Sequence, residues 1–301
     1  MKNARYLPLL ICLSWGGQAM ADTPLDVSHP ASSTAHIDII NIKGEVTITA
    51  WDRNEVHVGG ELGEGAAPLS IDGSENNLTI GVKAEGQSGW LNWGSDKSMS
   101  STRLDISVPR GASLKVKIVS APLSIDGING GDIDVSSVSG RVRINAQTPM
   151  LNVISVSGNI AFSGQAAQAK LQTVSGDILA PSLGNSVDLQ TISGRIQAGG
   201  GPWQHLNLST VSGDVQLAGS LASGGNITID SMSGDVQLLV PSALSSNVHA
   251  TTFSGDLRSD FGTPKQPEHG PGSSLDAVAG TGNGKINVES FSGDVRIRKQ
   301  D

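Results

Sequence analysis

One short phrase decides the fold, and its clearest copy is Leu171-Gln172-Thr173-Val174-Ser175-Gly176-Asp177-Ile178. Outward from this copy, an apolar residue, Ser, Gly, a mostly acidic residue and Val or Ile recur. The serines are separated by 18, 18, 18, 19, 21, 21 and 38 residues. A regular period of this length is typical of a repeat protein in which each copy forms one structural unit. The recurring pairs are Ser139-Gly140, Ser157-Gly158, Ser175-Gly176, Ser193-Gly194, Ser212-Gly213, Ser233-Gly234, Ser254-Gly255 and Ser292-Gly293.

Apolar residues hold fixed positions around each serine. In the copy at Ser175 they are Ala169 and Leu171 before it, and Ile178 and Ala180 after it. Alternation with a period of two is typical of β-strands that bury one face. The inward positions are even before the serine and odd after it, so the chain is expected to bend at Ser-Gly. Glycine tolerates the positive φ that a tight corner requires.

The pattern predicts an all-β fold, a parallel β-solenoid of either hand with rungs of about 18–21 residues. Identical columns then stack about 4.8 Å apart as parallel strands. Three parts are predicted: a signal peptide at 1–21, a β-rich N-terminal portion at 22–110, and a repeat solenoid at 111–301 that continues it. A degenerate copy of the corner stands at Ser120.

The N-terminus has the features of a secretory leader. Lys2 and Arg5 precede a short apolar stretch, and Ala19-Met20-Ala21 fits the rule for cleavage before Asp22. The single cysteine lies in this leader, so stability outside the cell must come from burial and backbone pairing. The periplasm is the expected location, with the extracellular space as the alternative, and no membrane span is expected in the mature chain.

The charge balance argues against nucleic acid as a partner. Of the 20 basic residues, two lie in the leader, which leaves 18 against 28 acidic residues and a formal charge of −10. Aromatic residues make up only 3% of the chain, while glycine is abundant. Thin, repeated layers explain this composition better than one large globular core.

The sequence resembles the bacterial toastrack-like family of β-strand repeat proteins, described as putative adhesins of unknown function. Three passages carry the resemblance: Asn41–Ile48 with Trp51-Asp52-Arg53-Asn54-Glu55-Val56, then Leu104–Leu114, then the Ser-Gly-Asp repeats. The resemblance implies a β-solenoid and an exported or envelope location, and it supplies no catalytic residues. Other family members look like sensing scaffolds beside envelope-stress regulators.

Two repeated columns could carry chemistry. The residues after the glycines could form a calcium ladder or a solvated corner; they are Arg141, Asn159, Asp177, Arg195, Asp214, Asp235, Asp256 and Asp294. The corner serines could be nucleophiles, or small hydroxyls that hydrogen bond to the backbone. A nucleophile needs a positioned base, and the six histidines share no register with these serines. We therefore expect no catalytic residue, no metal and no cofactor.

The aromatic exceptions to the repeat are candidate contact residues. Trp90 and Trp93 lie in a Gly/Ser-rich loop at 86–102, where they could bind a protein or glycan partner or cover the apolar side of the solenoid. A second excursion runs from Thr263 to Gly272. The function expected is that of a non-catalytic envelope protein, an adhesin or surface-interaction scaffold. An envelope-stress sensing scaffold with a regulatory partner is the alternative, followed by a polysaccharide-active enzyme on a β-helix.

Overall fold

The computed structural model describes residues 23–83, 100–266 and 271–300. All regular structure in these ranges is β, and the predicted all-β parallel solenoid is confirmed. The strands are β1 (Thr23–Pro30), β2 (His36–Trp51), β3 (Glu55–Leu62), β4 (Ser70–Ser74), β5 (Asn77–Val82), β6 (Thr102–Pro109), β7 (Ser113–Ser120), β8 (Leu123–Asn129), β9 (Ile133–Ser139), β10 (Val142–Ser157), β11 (Ile160–Ser175), β12 (Ile178–Leu183), β13 (Ser186–Ser193), β14 (Ile196–Ser212), β15 (Val215–Ser233), β16 (Val236–Pro241), β17 (Ser246–Ser254), β18 (Leu257–Ser259), β19 (Ser273–Ala279), β20 (Gly284–Ser292) and β21 (Val295–Gln300).

In the middle of the molecule the rungs stack in chain order. β10 and β11 pair in parallel, with Val142 beside Ile160 and Ser157 beside Ser175. The same register, serine on serine, continues between all neighbouring rungs from Ser120 to Ser233. A repeated sequence therefore gives a repeated hydrogen-bond pattern, because each residue meets its equivalent in the next copy.

At the C-terminal end the stacking order departs from chain order. β20 pairs with β15 on one side and with β17 on the other, so Ser292 lies between Ser233 and Ser254. β21 lies in the same way between β16 and β18. The last rung of the chain is thus inserted between two earlier rungs, and β19 covers the outer edge of β17 as an antiparallel strand.

The N-terminal end is arranged in a similar way. β2 pairs with β7 and β8 on its inner side, where Lys43 lies beside Ser120. Its outer side is covered by β5 and β6, which come later in the chain. Lys43-Gly44 is therefore the first corner of the solenoid, although it lacks the serine of the repeat. Antiparallel pairs β1–β3, β3–β6 and β4–β5 complete this end.

The core is the set of inward columns that the repeat predicts. Around Ser175 the side chains of Ala169, Leu171, Ile178 and Ala180 are all buried, and the equivalent positions of the other rungs are buried as well, apart from the half-buried Ser259. The inside–outside assignment of the four columns is confirmed.

One core residue breaks the pattern of small layers. Trp203 is fully buried in a longer rung and packs over Gly219, where an added Cβ would lie 2.5 Å from the indole ring. The carbonyl oxygen of Gly200 would be even closer to that Cβ, at 2.3 Å, so the indole and the neighbouring backbone together exclude a side chain at position 219.

The two predicted portions share one hydrogen-bonded sheet, since β2 pairs directly with β7 and β8. The boundary near residue 110 stays a prediction. Over the ranges that the structure covers, no helix could cross a membrane. The leader, its cleavage site before Asp22, and both Trp90 and Trp93 lie outside the described residues.

Candidate functional site

The corner serines lie on the outside of the solenoid. Their side chains are exposed, or half-buried at Ser292, and within the described ranges no corner hydroxyl hydrogen bonds to another protein group. The interpretation that these hydroxyls hydrogen bond to the backbone is therefore wrong. Backbone hydrogen bonds join each corner to the corner of the next rung: Gly176 N–H donates to the Ser193 carbonyl at 3.0 Å, and Gly194 N–H to the Ser212 carbonyl at 3.2 Å.

The corner glycines are required by close approach as much as by φ. Gly234 has a φ of 120°, as a tight corner predicts, but Gly176 does not have a positive φ. An added Cβ at Gly176 would lie only 2.3 Å from the carbonyl oxygen of Gly158 in the next rung. The general explanation by positive φ is therefore wrong at this corner, where a side chain is excluded by the neighbouring backbone.

The acidic column after the glycines connects rungs. Asp177 Oδ1 accepts a hydrogen bond of 2.9 Å from the backbone N–H of Arg195, and Asp214 Oδ1 accepts one of 3.2 Å from that of Asp235. The same bond recurs from Asp294 N–H to Asp235 Oδ1 at 3.1 Å. These carboxylates also face arginines, as between Arg296 and Asp235 at 3.1 Å. The described residues contain no group of three or more metal-ligating side chains.

Among the described histidines, His57 and His249 have acidic or hydroxyl neighbours, and neither has the geometry of a catalytic triad. His57 Nδ1 lies 3.1 Å from Ser28 Oγ and 3.8 Å from the carboxylate of Asp26. Both groups approach the same ring nitrogen, whereas a catalytic triad places the serine and the acid on opposite nitrogens. His249 is held by Asp276 at 2.6 Å, and His269 lies outside the described residues.

Two of the passages that carry the family resemblance meet in space. The Arg110 guanidinium donates to both carboxylate oxygens of Asp52, at 2.7 and 3.2 Å. This hydrogen-bonded pair, and then its Coulombic attraction, lowers the pKa of Asp52. Trp51 lies beside them, under the Arg53 guanidinium at 4.8 Å. These residues connect the end of β2 to the turn after β6, so their role is structural.

A column of exposed apolar side chains runs along the solenoid. It is formed by the residue directly before each corner serine from Ser157 onward, and we call it the apolar ladder; the equivalent Val138 is only half-buried and is not counted. Its members are 42% to 60% exposed. From Val156 to Val211 the ladder consists of β-branched residues, which strands favour even on an outer face. From Met232 to Phe253 its side chains are larger and unbranched at Cβ. In stacking order the ladder is Val156, Val174, Ile192, Val211, Met232, Phe291 and Phe253.

The inserted rung creates the wide end of the ladder. Because Ser292 lies between Ser233 and Ser254, Phe291 comes to lie between Met232 and Phe253. The two phenyl rings stack with their centroids 5.0 Å apart and their planes at 9°. Residues far apart in the chain thus form one aromatic and thioether surface.

The ladder ends in an open groove of about 770 Å³, which we call the C-terminal groove. Its floor is the wide end of the ladder, from Val211 to Phe253. Lys265, Gln266 and the stretch 271–274 line one wall. Lys265 and Ser274 are joined there by backbone hydrogen bonds of 2.7 and 2.9 Å. Asp230 and Glu289, neighbours on β15 and β20, form the other side.

The carboxylates of the C-terminal groove have no cationic partner within the described residues. Desolvation by partial burial raises the pKa of Asp230, and repulsion from Glu289 raises it further. Asn287 donates to Glu289 at 2.9 Å and so holds that carboxylate in place. The groove therefore combines an apolar floor with uncompensated negative charge.

The corners are evident from the sequence, whereas the apolar surface beside them was not predicted. The signal was present, because the residue before each serine is apolar yet has the opposite parity to the buried positions two, four and six residues before the serine. The exact composition of the groove could not be found in this way, since it depends on the insertion of β20. Trp90 and Trp93 stay a prediction, because they lie outside the described residues.

The sequence also matches a family model. The model of Toastrack DUF4097 matches residues 34–298, which is nearly all of the described solenoid. The chain belongs to the Toastrack DUF4097 family. The predicted resemblance is thereby confirmed, and the family match includes the corner at Lys43-Gly44 as well as the Ser-Gly repeats. No curated protein matches the sequence.

Two solved structures are among those that the chain matches. One is a putative adhesin from Bacteroides fragilis, with 13% identity, a TM-score of 0.49, and coverage of 92% of this chain and 98% of the other. A putative adhesin from Parabacteroides distasonis has 11% identity, a TM-score of 0.40, and the same coverage. At this identity and these scores, nothing about ligands or partners carries over to this chain.

Proposed function

We propose that this protein is a non-catalytic surface-interaction scaffold of the bacterial envelope, which holds its partner on the apolar ladder. The observation that carries the proposal is the ladder itself, a contiguous row of exposed apolar side chains in an exported-type sequence. Contiguous exposed apolar surface is costly in water, and it commonly marks an interaction site. The partner is a protein or glycan of the envelope or of a surface.

Two conspicuous sets of charged groups have structural roles, which supports the non-catalytic proposal. The acidic column accepts backbone hydrogen bonds from adjacent rungs, and the Asp52–Arg110 pair joins two strands. We also propose that the protein is exported and that residues 1–21 are the signal peptide that directs this export. N-terminal sequencing of the protein recovered from the periplasm tests it, and the expected first residue is Asp22.

The ladder can be tested against exposed apolar residues elsewhere. A triple variant Val174→Ser, Ile192→Ser, Val211→Ser removes its central part, while Met150→Ser with Leu179→Ser changes side chains that are similarly exposed but outside the ladder. We expect the triple variant to lose capture of envelope partners while keeping its β-sheet circular dichroism, and the control to retain both.

Unchanged capture by the triple variant, or equal loss in the control, would contradict the proposal. The identity of the captured partner separates adhesion from sensing. A regulatory protein of the envelope would replace the adhesion role with the sensing role, whereas a surface protein or glycan would support adhesion.

A further inference from the structure

The C-terminal groove differs from the rest of the ladder in three ways. It is concave, its floor carries Met232 and two stacked phenyl rings instead of single β-branched side chains, and it has two carboxylates along one side. A volume of about 770 Å³ is in the range of sites for small ligands. This size favours a small ligand over a broad protein surface.

The charge of the groove restricts which ligands are compatible with it. Asp230 and Glu289 are adjacent in a parallel register and make no ion pair among the described residues. The two neighbouring negative charges repel each other, and a positive group placed between them would relieve that repulsion. A negatively charged ligand would add to it. The neutral side chains Ser209 and Thr251 continue the same outer column, so the charge is confined to the two central rungs.

Lys265 also lines the groove but does not contact the two carboxylates. It lies on the opposite wall and forms no ion pair with either carboxylate. Its backbone bridge to Ser274 closes the groove at the end of the stack. On the other side the ladder leaves the groove open and continues as a row of Val and Ile one side chain wide.

We propose that the C-terminal groove binds a single-chain amphiphile with a cationic head, the head at Asp230 and Glu289 and the chain over Met232 and Phe291. A linear apolar chain suits the shape, because the floor and the ladder form one narrow apolar track. A twelve-carbon chain is about as long as three rungs at about 4.8 Å each. This inference rests on the proposed binding function, because it takes the exposed apolar side chains to be a contact surface.

The test compares two detergents that share a tail, dodecyltrimethylammonium and the uncharged dodecyl maltoside, by calorimetric titration of the full mature chain below micellar concentrations. We expect the cationic probe to bind about tenfold more tightly, as two carboxylates near a partly exposed cation allow. The double variant Asp230→Asn, Glu289→Gln should lower its affinity to that of the uncharged probe. The control Glu75→Gln, Asp188→Asn removes the same charge outside the groove and should change neither affinity.

A floor variant, Met232→Ser with Phe291→Ser, should weaken both probes alike and thus show that the tail lies in the groove. Equal affinity of the two probes in the unaltered protein would overturn the cationic preference while leaving an apolar contact surface in place. Absence of binding by either probe would overturn the inference as a whole. The proposed function is tested by a different result: it is contradicted if the triple ladder variant still captures its partners.

Discussion

The middle of the solenoid and its two ends are built from the same rung but joined in different ways. Between Ser120 and Ser233 each rung follows the previous one in both chain and space. At the ends, β2 and β20 are each enclosed by strands from other parts of the chain. A rung in the middle has identical neighbours on both faces, whereas the end rungs have irregular or antiparallel neighbours. The repeat thus explains the stability of the middle, and the exceptions explain how the stack stops.

The largest expected effect is the loss of stability when a charge is introduced into the core, and this loss should be greater in the middle of the solenoid than at its end. Ile178→Asp buries an unpaired carboxylate between two complete rungs, so it should destabilise the protein by at least about 4 kcal/mol. Leu257→Asp, in the outermost rung where the core is thinner, should cost clearly less. Gln216→Asp, on an outward position, should cost less than about 1 kcal/mol. Chemical denaturation of the three variants measures the order, and equal losses would show that the two regions do not differ.

The second effect concerns the inserted rung. A chain ending at Asn283 lacks β20 and β21, so Ser233 and Ser254 lose the rung that separates them. We expect β17 to β19 to become sensitive to protease while the middle keeps its protection. Removal of only residues 299–301, of which Lys299 and Gln300 are exposed, should have little effect. If β17 in the shorter chain still resists the protease, the outer rung must be able to pair directly with β15.

A smaller effect is expected from the corner of a middle rung. Gly176→Val places a side chain against the Gly158 carbonyl and should cost about 3 kcal/mol, because neither rung can move away. Ser175→Ala removes an exposed hydroxyl without a protein partner and should lie within about 0.5 kcal/mol of the unaltered protein. Thermal unfolding of both variants is sufficient, and a neutral Gly176→Val would refute the close-approach explanation.

Two threonines of one column of buried hydroxyls should give small changes in melting temperature of opposite sign when they are replaced by valine. Thr191 in the middle is buried and its hydroxyl has no hydrogen-bond partner in the described part of the chain. Thr252 at the end donates to the Gly293 carbonyl at 3.1 Å. Thr191→Val should therefore raise the melting temperature, and Thr252→Val should lower it, each by an amount equivalent to about 1 kcal/mol. The same sign for both would show that the bond at Thr252 contributes nothing.

The smallest effect is a pH dependence confined to the C-terminal groove. Because the pKa of Asp230 is raised in the folded protein, folding favours its protonated form, and stability falls as the pH rises through that pKa. Asp230→Asn should raise the melting temperature near pH 7. The gain should disappear below the ordinary aspartate pKa of 3.8. Melting curves across this range measure it, and a difference independent of pH would contradict the assignment.

The sequence predicts the middle well because each rung there depends only on its copies. The columns at Leu171 and Ile178, for example, follow from period-two alternation alone. It does not predict the stacking order at the ends, since the rung at Ser292 has the same register toward Ser233 as toward Ser254. The first corner at Lys43 was missed because its serine is replaced, although the spacing of Ile37, Ile39, Val46 and Ile48 around it matches the repeat.

The candidate site shows the same division. The ladder could be found from the parity of Val174 and its equivalents, because this needs only local alternation. The C-terminal groove needs Phe291 beside Met232, a contact between residues far apart in sequence that no repeat pattern specifies. The sequence predicts where the corners lie, but not why glycine is needed at Gly176. That reason is the distance to the backbone of the neighbouring rung, which the sequence does not contain.

The in-order middle also determines how such a chain can grow over evolutionary time. Duplication of one unit of 18 residues, such as the stretch from Ser157 to Val174, would add one more layer of about 4.8 Å between existing layers. Neither terminus would have to change its pairing, because both are fixed by strands outside the duplicated part. Relatives of different length are therefore expected to differ in the number of central units, with the distance between the two ends of the molecule changing in steps of one layer.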